Sequence, residues 1–391
     1  MDDLTWKRRM RARKRRVKYE RFFLLILLIV GLSYFIWDSV SRTKTPVYAM
    51  NKVVESIDTG DLENFNKHVD LTTITTRAYD DLTGDLFKND EQLSMSERLL
   101  FENFYVLIRP QICQGAIQVI NKKVESGNWT LPEEILKGRQ LGIDFELLLE
   151  RSLIRNVKFV SVENIEHKGE TATADINIIE ERTQTPFTFK VTLENFSEVG
   201  LQMSSDNFEL FGETWKFPGL SFAFDDNSWK IVSVDNYKEF LETVTPLIQR
   251  DVENYIEATA EIVNRYNDIF YDEQLNFIEL QRTSSGILSA SQRENIAVYI
   301  NDTIIKTLQD RQSELDKIPV PNGARYLADL RAQSTYVTIQ AWKYYAQGIS
   351  ANDAVALGTA AGIHKQELII DQRIEEVIKN SAVAKNLPEL P

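Results

Sequence analysis

The segment that most constrains the fold of this chain is the uncharged run from Phe22 to Trp37, FFLLILLIVGLSYFIW. As a helix, a run of this length would be about 24 Å long, somewhat short of a hydrocarbon core of about 30 Å. Its apolar side chains occupy every face, which is typical of a helix in lipid rather than of an amphipathic helix on a protein core. We therefore expect a transmembrane signal anchor at 22–40, with Tyr34 and Trp37 at the headgroup level.

Basic side chains crowd the segment 1–21, which precedes this run and holds ten of them against three acidic ones. By the positive-inside rule they are predicted to keep the N-terminus in the cytoplasm and to place the bulk of the chain outside a bacterial inner membrane. They are also predicted to contact anionic lipid at the cytoplasmic face. The residues expected at the membrane surface are Lys7, Arg8, Arg9, Arg11, Arg13, Lys14, Arg15, Arg16, Lys18 and Arg21, together with Tyr34 and Trp37.

Two other interpretations of this opening compete with an anchor. A nuclear localisation signal would account for the basic residues of 1–21 but would leave the apolar run unexplained. A cleavable signal peptide stays open, because Ser39 and Ser41 have the small-residue spacing of a cleavage site. Against cleavage, the run exceeds the usual apolar region of about 7–15 residues, and Trp37 and Asp38 crowd the site.

Charge separates the opening segment from the rest of the chain. Residues 1–21 carry +7 and the whole chain −13, so the other 370 residues carry −20. An acidic body of this kind repels phosphate backbones, which argues against nucleic acid as a partner. The single cysteine, Cys113, excludes an internal disulfide or a multi-cysteine zinc site, and its apolar surroundings favour a buried small hydrophobe.

Beyond the anchor, the pattern predicts helices followed by strands. In PVYAMNKVVESID, apolar residues recur at helical spacing, and DTGD ends the helix. ATADINII and PFTFKVTLENF alternate with a period of two, as half-buried strands do, and SWKIVSV follows them. We expect an α+β domain at 45–236, with helices packed on one face of a curved antiparallel sheet in a cone shape.

Two stretches in this region resemble known folds. TPVYAMNKVVESIDTGDLENFNKHVDL is similar to the start of a bacterial family of unknown function, with its spaced residues at Asp61, Phe65, Val69 and Asp70. DDNSWKIVSVDNYKEF looks like the last strand of cone-shaped folds related to nuclear transport factor 2 and to cystatins. The resemblance covers about 45–240. It implies a membrane-anchored protein with an extracytoplasmic domain of this shape, and it implies no catalytic residue.

The second half of the chain has a helical period throughout. Four amphipathic segments with short connections predict an antiparallel four-helix bundle at 237–384, followed by a frayed tail at 385–391. Within it, Ser291 with Glu294 is predicted to form a capping box. Gly348 is predicted to end one helix and Ser350 to cap the next. The predicted fold class is thus α+β, with an N-terminal transmembrane helix, a cone-shaped helix-on-sheet domain and a C-terminal α-helical bundle.

The motifs of common enzymes do not occur. His68, His167 and His364 have no neighbourhood typical of a catalytic triad, and there is no GxSxG, HExxH or phosphate-cradling glycine loop. The acidic stretch at 79–92 lacks the spacing of a calcium loop. Aromatic residues of α-helical spacing, Tyr336, Trp342, Tyr344 and Tyr345, fit a core better than a groove.

We therefore predict a non-catalytic, membrane-tethered module of the bacterial cell envelope, without a metal or cofactor, that binds a protein partner or an apolar ligand. An enzyme whose site is assembled in the concave pocket of the α+β domain is the alternative, and a sensor of envelope state is another. A filled cone would favour protein–protein interaction over ligand binding.

Overall fold

The computed structural model describes residues 45–83, 94–131, 144–196, 228–282 and 288–384, together with the backbone of four short strands between 203 and 220. The chain forms two compact units. The first comprises Met1–Phe145, Phe159–Asn177 and Thr188–Tyr237, and the second comprises Glu146–Lys158, Ile178–Phe187 and Lys238–Pro391.

The expected transmembrane helix has no counterpart among the residues that the structure describes. Among the helices of the described residues, none is long and apolar enough to cross a membrane. The fold class is therefore corrected to α+β without a membrane-spanning helix, and the predicted membrane partner, anchor and inner-membrane location, which rested on that helix, are corrected with it. The segment 22–40 itself, the basic residues before it and the tail at 385–391 lie outside the described residues.

In the described part of the first unit, the helices that precede the sheet are α1 (Pro46–Thr59), α2 (Leu62–His68), α3 (Leu71–Thr83) and α4 (Met95–Ser126). Three of these helices begin at a short polar side chain. That side chain accepts a hydrogen bond from a backbone N–H that has no partner within the helix. The Thr45 hydroxyl accepts from the Tyr48 N–H at 3.2 Å, Asp61 from Asn64 at 3.1 Å and Asp70 from Thr73 at 3.1 Å. Gly60, at φ 74°, ends α1, as predicted.

The spaced residues of the sequence resemblance thus have a structural explanation. Asp61 and Asp70 cap consecutive helices, while Phe65 and Val69 between them are buried in the core. Val69 also forms an isolated bridge to Ile231 of the last long strand. These four residues therefore cap two consecutive helices and pack the segment between the caps against the sheet.

A four-stranded sheet follows a short helix, α5 (Phe145–Arg151). Its strands are β1 (Val157–Lys168), β2 (Thr171–Glu180), β3 (Thr185–Phe196) and β8 (Ser228–Val234), in the order β1-β2-β3-β8. β3 and β8 are antiparallel, with Leu193 opposite Ile231. Two minor ladders pair β4 (Met203–Ser204) with β7 (Gly219–Leu220), and β5 (Asn207–Leu210) with β6 (Glu213–Lys216).

One face of the sheet carries the core of the first unit. Every member of this apolar cluster exposes 7% or less of its surface, and Leu193 exposes none. The sheet supplies Ala172, Ala174, Val191, Leu193, Trp229 and Ile231, and the helices supply Ala49, Met50, Val53, Phe65, Val69, Leu71 and Val124. Helical side chains therefore cover the face of the sheet that was expected to form a concave pocket, and they fill that space.

The second unit consists mainly of long helices. They are α6 (Tyr237–Gln281), α7 (Ala290–Tyr299), α8 (Ile305–Leu315), α9 (Arg325–Ala351) and α10 (Ala354–Ala384). A π-helical turn, Ile300–Ile304, joins α7 to α8 without a break. The capping box of α7 uses Ser289 and Gln292, so the prediction of Ser291 with Glu294 is wrong.

The turn between α9 and α10 also differs from the prediction. α9 continues through Gly348 and Ser350, and Asn352 ends it in the left-handed conformation at φ 53°. Asp353 then caps α10 by accepting from the Val355 N–H at 2.8 Å. Gly348 has a packing role instead, because a Cβ there would lie 2.7 Å from Leu357 Cγ. The glycine marks a close helix contact rather than a helix end.

Candidate functional site

The residues predicted to touch the membrane surface, Lys7 to Arg21 with Tyr34 and Trp37, all lie outside the described part of the chain. The other chemistry-bearing residues considered from the sequence can be placed, with the exception of the acidic residues at 85, 90, 133 and 134. Asp80 forms an ion pair with Arg109. Within the described residues, no group of three His, Cys, Asp or Glu side chains is placed to hold a metal ion.

Cys113 and the histidines have structural contacts. Cys113 is buried, its thiol donates to the Thr75 carbonyl at 3.6 Å, and burial raises the thiol pKa, which disfavours the reactive thiolate. Buried His68 holds Nδ1 3.0 Å from the Trp229 carbonyl oxygen, and His167 stacks edge-on against the Trp229 ring. His364 pairs with Glu367 on the surface of α10.

The aromatic residues of α9 divide into two groups. Trp342 and Tyr345 pack edge-on against Phe277, at centroid distances of 5.2 and 6.0 Å, and belong to a core. Tyr336 and Tyr344 are exposed. The expectation of a core position is therefore right for two of the four, and the four do not line a common groove.

An exposed apolar surface lies on the first half of α4. We call it the α4 apolar surface, and it consists of Met95, Leu99, Leu100, Phe104, Val106 and Leu107, which expose between 40% and 89% of their area. At about 100° per residue, these six side chains lie within about one half of the helix circumference, from Met95 round to Phe104. The exposed residues between them on that half, Ser96 and Asn103, are uncharged.

The opposite side of α4 packs against α3. The Tyr79 hydroxyl donates to the Tyr105 carbonyl at 2.7 Å, and burial raises the Tyr79 pKa. Arg109 pairs with Asp80, and Glu102 projects from the same charged side of α4. Farther along, Ile112, Cys113, Val119 and Val124 are buried. The helix therefore buries apolar residues in its second half and exposes them in its first.

The second unit contains a different feature, a polar layer between two apolar clusters. One cluster surrounds the π-helical turn and includes Ile296, Ile300 and Leu308; the other surrounds Leu327 and includes Val252 and Tyr255. Helices α6, α8, α9 and α10 also contribute polar side chains that hydrogen-bond to one another. The polar layer consists of Thr259, Arg311, Arg331, Ser334, Thr335, Thr338, Glu367 and Asp371.

Two arginines dominate this layer. Arg311 donates from Nη2 to the Thr335 hydroxyl at 3.1 Å, and its guanidinium lies 5.3 Å from the Phe270 ring centroid. Arg331 donates from Nη1 to the Thr259 hydroxyl at 2.8 Å and lies 5.3 Å from the Tyr255 ring centroid. Thr259 and Thr335 are almost completely buried. Each guanidinium is thus held by one hydroxyl and one aromatic face.

Both arginines donate to hydroxyls, and Asp371 and Glu367 lie near enough to Arg311 to raise its pKa. The nearby acids are occupied, since Asp371 accepts from the Ser334 hydroxyl at 2.7 Å and Glu367 from the Thr338 hydroxyl at 2.6 Å. Burial lowers the pKa of both arginines, and the charge of Arg331 lowers the Arg311 pKa further. Arg311 Nε is buried without a hydrogen-bond partner.

Sequence reasoning missed both features. Arg311 falls on the stripe of Leu308 and Leu315, and an arginine within an apolar stripe was a signal that could have been found. The first half of α4 carries large apolar residues over about half of its circumference, more than one buried stripe needs, and this was a second signal that could have been found.

Comparison of the chain with protein-family models, with curated proteins and with solved structures finds no match. The geometry of the α4 apolar surface and of the polar layer is therefore the basis on which a function can be proposed.

Proposed function

We propose that this protein is a non-catalytic interaction module that binds an amphipathic helix of a partner protein on the α4 apolar surface. The observation that carries the proposal is the exposure of six large apolar side chains on one half of a helix. Exposed apolar patches of this kind are typical of protein interaction sites, because water contact with them is unfavourable.

The chemistry of the surface specifies the partner. From Met95 to Leu107 the surface is about 18 Å long, which corresponds to three to four helical turns. No charge lies on the apolar half, so a charged ligand would lose its hydration there without gaining an ion pair. An amphipathic helix presents an apolar stripe of matching length and keeps its charges in water.

The filled sheet face of the first unit also supports protein interaction over ligand binding. The buried side chains of this face pack among α1, α2, α3 and α4, where a ligand in a concave pocket would otherwise lie. The membrane tether and envelope location expected from the sequence do not enter the proposal. The resemblance to a bacterial family of unknown function stays a prediction.

Residue-specific photocrosslinking tests the proposal. The full chain, carrying a photoreactive residue at Leu100 or Leu107 and produced in its native cells, should crosslink to the same segment of one partner protein. The same probe at Glu125, an exposed residue about 27 Å beyond Leu107 on the same helix, is the matched control and should form no such adduct. Leu107→Asp should abolish crosslinking from position 100 and leave the helical circular dichroism unchanged, because Leu107 is 73% exposed.

Mass spectrometry of the adduct identifies the partner segment. An amphipathic helical segment of another protein supports the proposal. An adduct with a second copy of this chain, a charged extended peptide, or equal adducts at positions 100, 107 and 125 would contradict it.

A further inference from the structure

We propose that the C-terminal part of α6 binds a second copy of this chain, in an antiparallel pairing of two identical helices. The surface that would do so, which we call the α6 seam, consists of Asp268, Tyr271, Leu275, Ile278 and Arg282. All five residues belong to the second unit. The inference is independent of the α4 apolar surface and of the function proposed for that surface.

Three large apolar side chains in the middle of the α6 seam are exposed. Tyr271 exposes 64% of its surface, Ile278 53% and Leu275 48%. The side of α6 that packs within the second unit carries Phe270 and Phe277, about 120–140° round the helix from the middle of the seam. Covering the three exposed side chains with a second surface would release water from them, which stabilises association.

The spacing of the α6 seam is that of one helix packed on another. Its five residues follow one another at intervals of three, four, three and four positions, as the seam residues of coiled coils do. At about 100° per residue they lie within about 80° of the circumference, and the seam is about 21 Å long. A straight and narrow stripe of this kind fits the side of a second helix.

The two ends of the α6 seam carry opposite charges, which favours a second copy as the partner. In an antiparallel pair centred on Leu275, Asp268 of each copy lies opposite Arg282 of the other, because each is seven positions from the centre. Tyr271 then lies opposite Ile278. A parallel pair would instead bring like charges together at both ends, which is unfavourable. The seam is therefore complementary to itself in one direction only, as a two-fold symmetric interface requires.

Two further acids, Asp272 and Glu279, lie at one rim of the α6 seam. Arg282 donates to Glu279 of its own chain at 2.7 Å. Because a guanidinium has five N–H donors, Arg282 can keep this bond and also donate to Asp268 of the second copy. Asp272 and Glu279 are both exposed, and repulsion between hydrated charges at a rim is weak.

The size of the α6 seam predicts a reversible dimer. A stripe about 21 Å long and one helix wide is smaller than the roughly 800 Å² that each partner contributes to a standard interface. We therefore expect a dimer that forms at micromolar concentration and dissociates on dilution.

Sedimentation velocity of the full chain, at concentrations between about 1 and about 100 µM, tests the inference. We expect a monomer–dimer equilibrium in this range. Leu275→Asp should weaken dimerisation at least tenfold, because it places two like charges at the centre of the apolar contact. Val355→Asp, at a position on α10 that is 77% exposed, is the matched control and should leave dimerisation unchanged. Leu107→Asp, on the α4 apolar surface, should also leave it unchanged, which separates this inference from the proposed function.

A charge-reversal cycle tests the direction of the pairing. Asp268→Arg alone or Arg282→Asp alone puts like charges at both ends of the seam and should weaken dimerisation at least fivefold. The double variant restores opposite charges with their ends exchanged, and it should dimerise within about threefold of the unaltered chain. Both positions are exposed, so the helical circular dichroism of each variant should stay unchanged.

Three results would overturn the inference. The first is an unaltered chain that stays monomeric throughout the concentration range. The second is a Leu275→Asp variant that dimerises as tightly as Val355→Asp, or a dimer that Leu107→Asp abolishes, since either would place the contact elsewhere. The third is a double charge variant that dimerises no more tightly than the single variants.

Discussion

The two units of this chain bury polar groups in different ways. In the first unit, the sheet face and the helices meet in one apolar cluster, and the carboxylates of Asp61 and Asp70 cap two of the helices. In the second, a polar layer with two arginines separates two apolar clusters. In a sheet, the backbone hydrogen bonds between strands fix where each side chain lies. Packed helices can shift along one another, because apolar contacts are similar in several registers. A polar layer whose hydrogen bonds form in only one register therefore fixes the register of the helices.

The largest expected effect tests the apolar core of the first unit. Trp229→Ala should lower the free energy of unfolding by about 3–5 kcal/mol, because it removes a buried ring and leaves a cavity. Trp129→Ala is the matched control; Trp129 is only partly buried, beneath Lys123, and its loss should cost about 1 kcal/mol or less. Urea unfolding followed by circular dichroism measures both. Equal losses for the two tryptophans would show that the sheet core is not the main source of stability.

An intermediate effect tests the polar layer. Thr335→Val keeps the side-chain shape but leaves the Arg311 Nη2 donor without its acceptor, so stability should fall by about 1–3 kcal/mol. Ser56→Ala in the first unit also removes a buried hydroxyl, but that hydroxyl bonds only to the Lys52 carbonyl of its own helix, and the loss should be about 0.5 kcal/mol. If the serine variant loses as much as the threonine variant, the contrast between the two units is wrong.

The smallest effect concerns acid stability. Hydrogen bonds from Asn64 hold the Asp61 pKa below its ordinary value, and hydrogen bonds from Tyr266 and Arg265 do the same for Glu314 in the second unit. A carboxyl whose pKa is lower in the folded state stabilises it above the unfolded-state pKa, near pH 4, and loses that contribution as the pH falls through the folded pKa. Asp61→Asn and Glu314→Gln should therefore each lose less stability than the unaltered chain between pH 5 and pH 2.

Unfolding free energies at a series of pH values check this expectation. A steeper acid loss in either variant would contradict it. If the unfolding free energy of only one variant depends less on pH than that of the unaltered chain, only the unit with that carboxyl is stabilised by its ionisation.

The sequence predicted secondary structure correctly where the spacing of apolar residues fitted only a strand or only a helix. The alternation in 172–178 and 187–193 predicted β2 and β3, and the DTGD sequence predicted the end of α1 at Gly60. The prediction failed at Gly348, because a glycine required by close helix contact has the same local pattern as a glycine that ends a helix. It also failed for the membrane-spanning helix, which does not occur among the described helices.

Neither candidate site could be predicted from the sequence with its role. Leu100 and Leu107 are apolar residues in a helix, and only the packing of α4 on α3 by its other side leaves them exposed. Arg311 and Arg331 are 20 positions apart on different helices, and their proximity depends on how those helices pack.

The sequence by itself determined the α+β class, the end of α1 at Gly60 and the helical second half, because backbone hydrogen bonding and side-chain periodicity act over a few residues. The tertiary structure alone decided which apolar face stays in water and which hydroxyls and rings surround the buried arginines. Burial and pairing are properties of side chains that meet across long stretches of chain, and such meetings are not encoded in the spacing of any one segment.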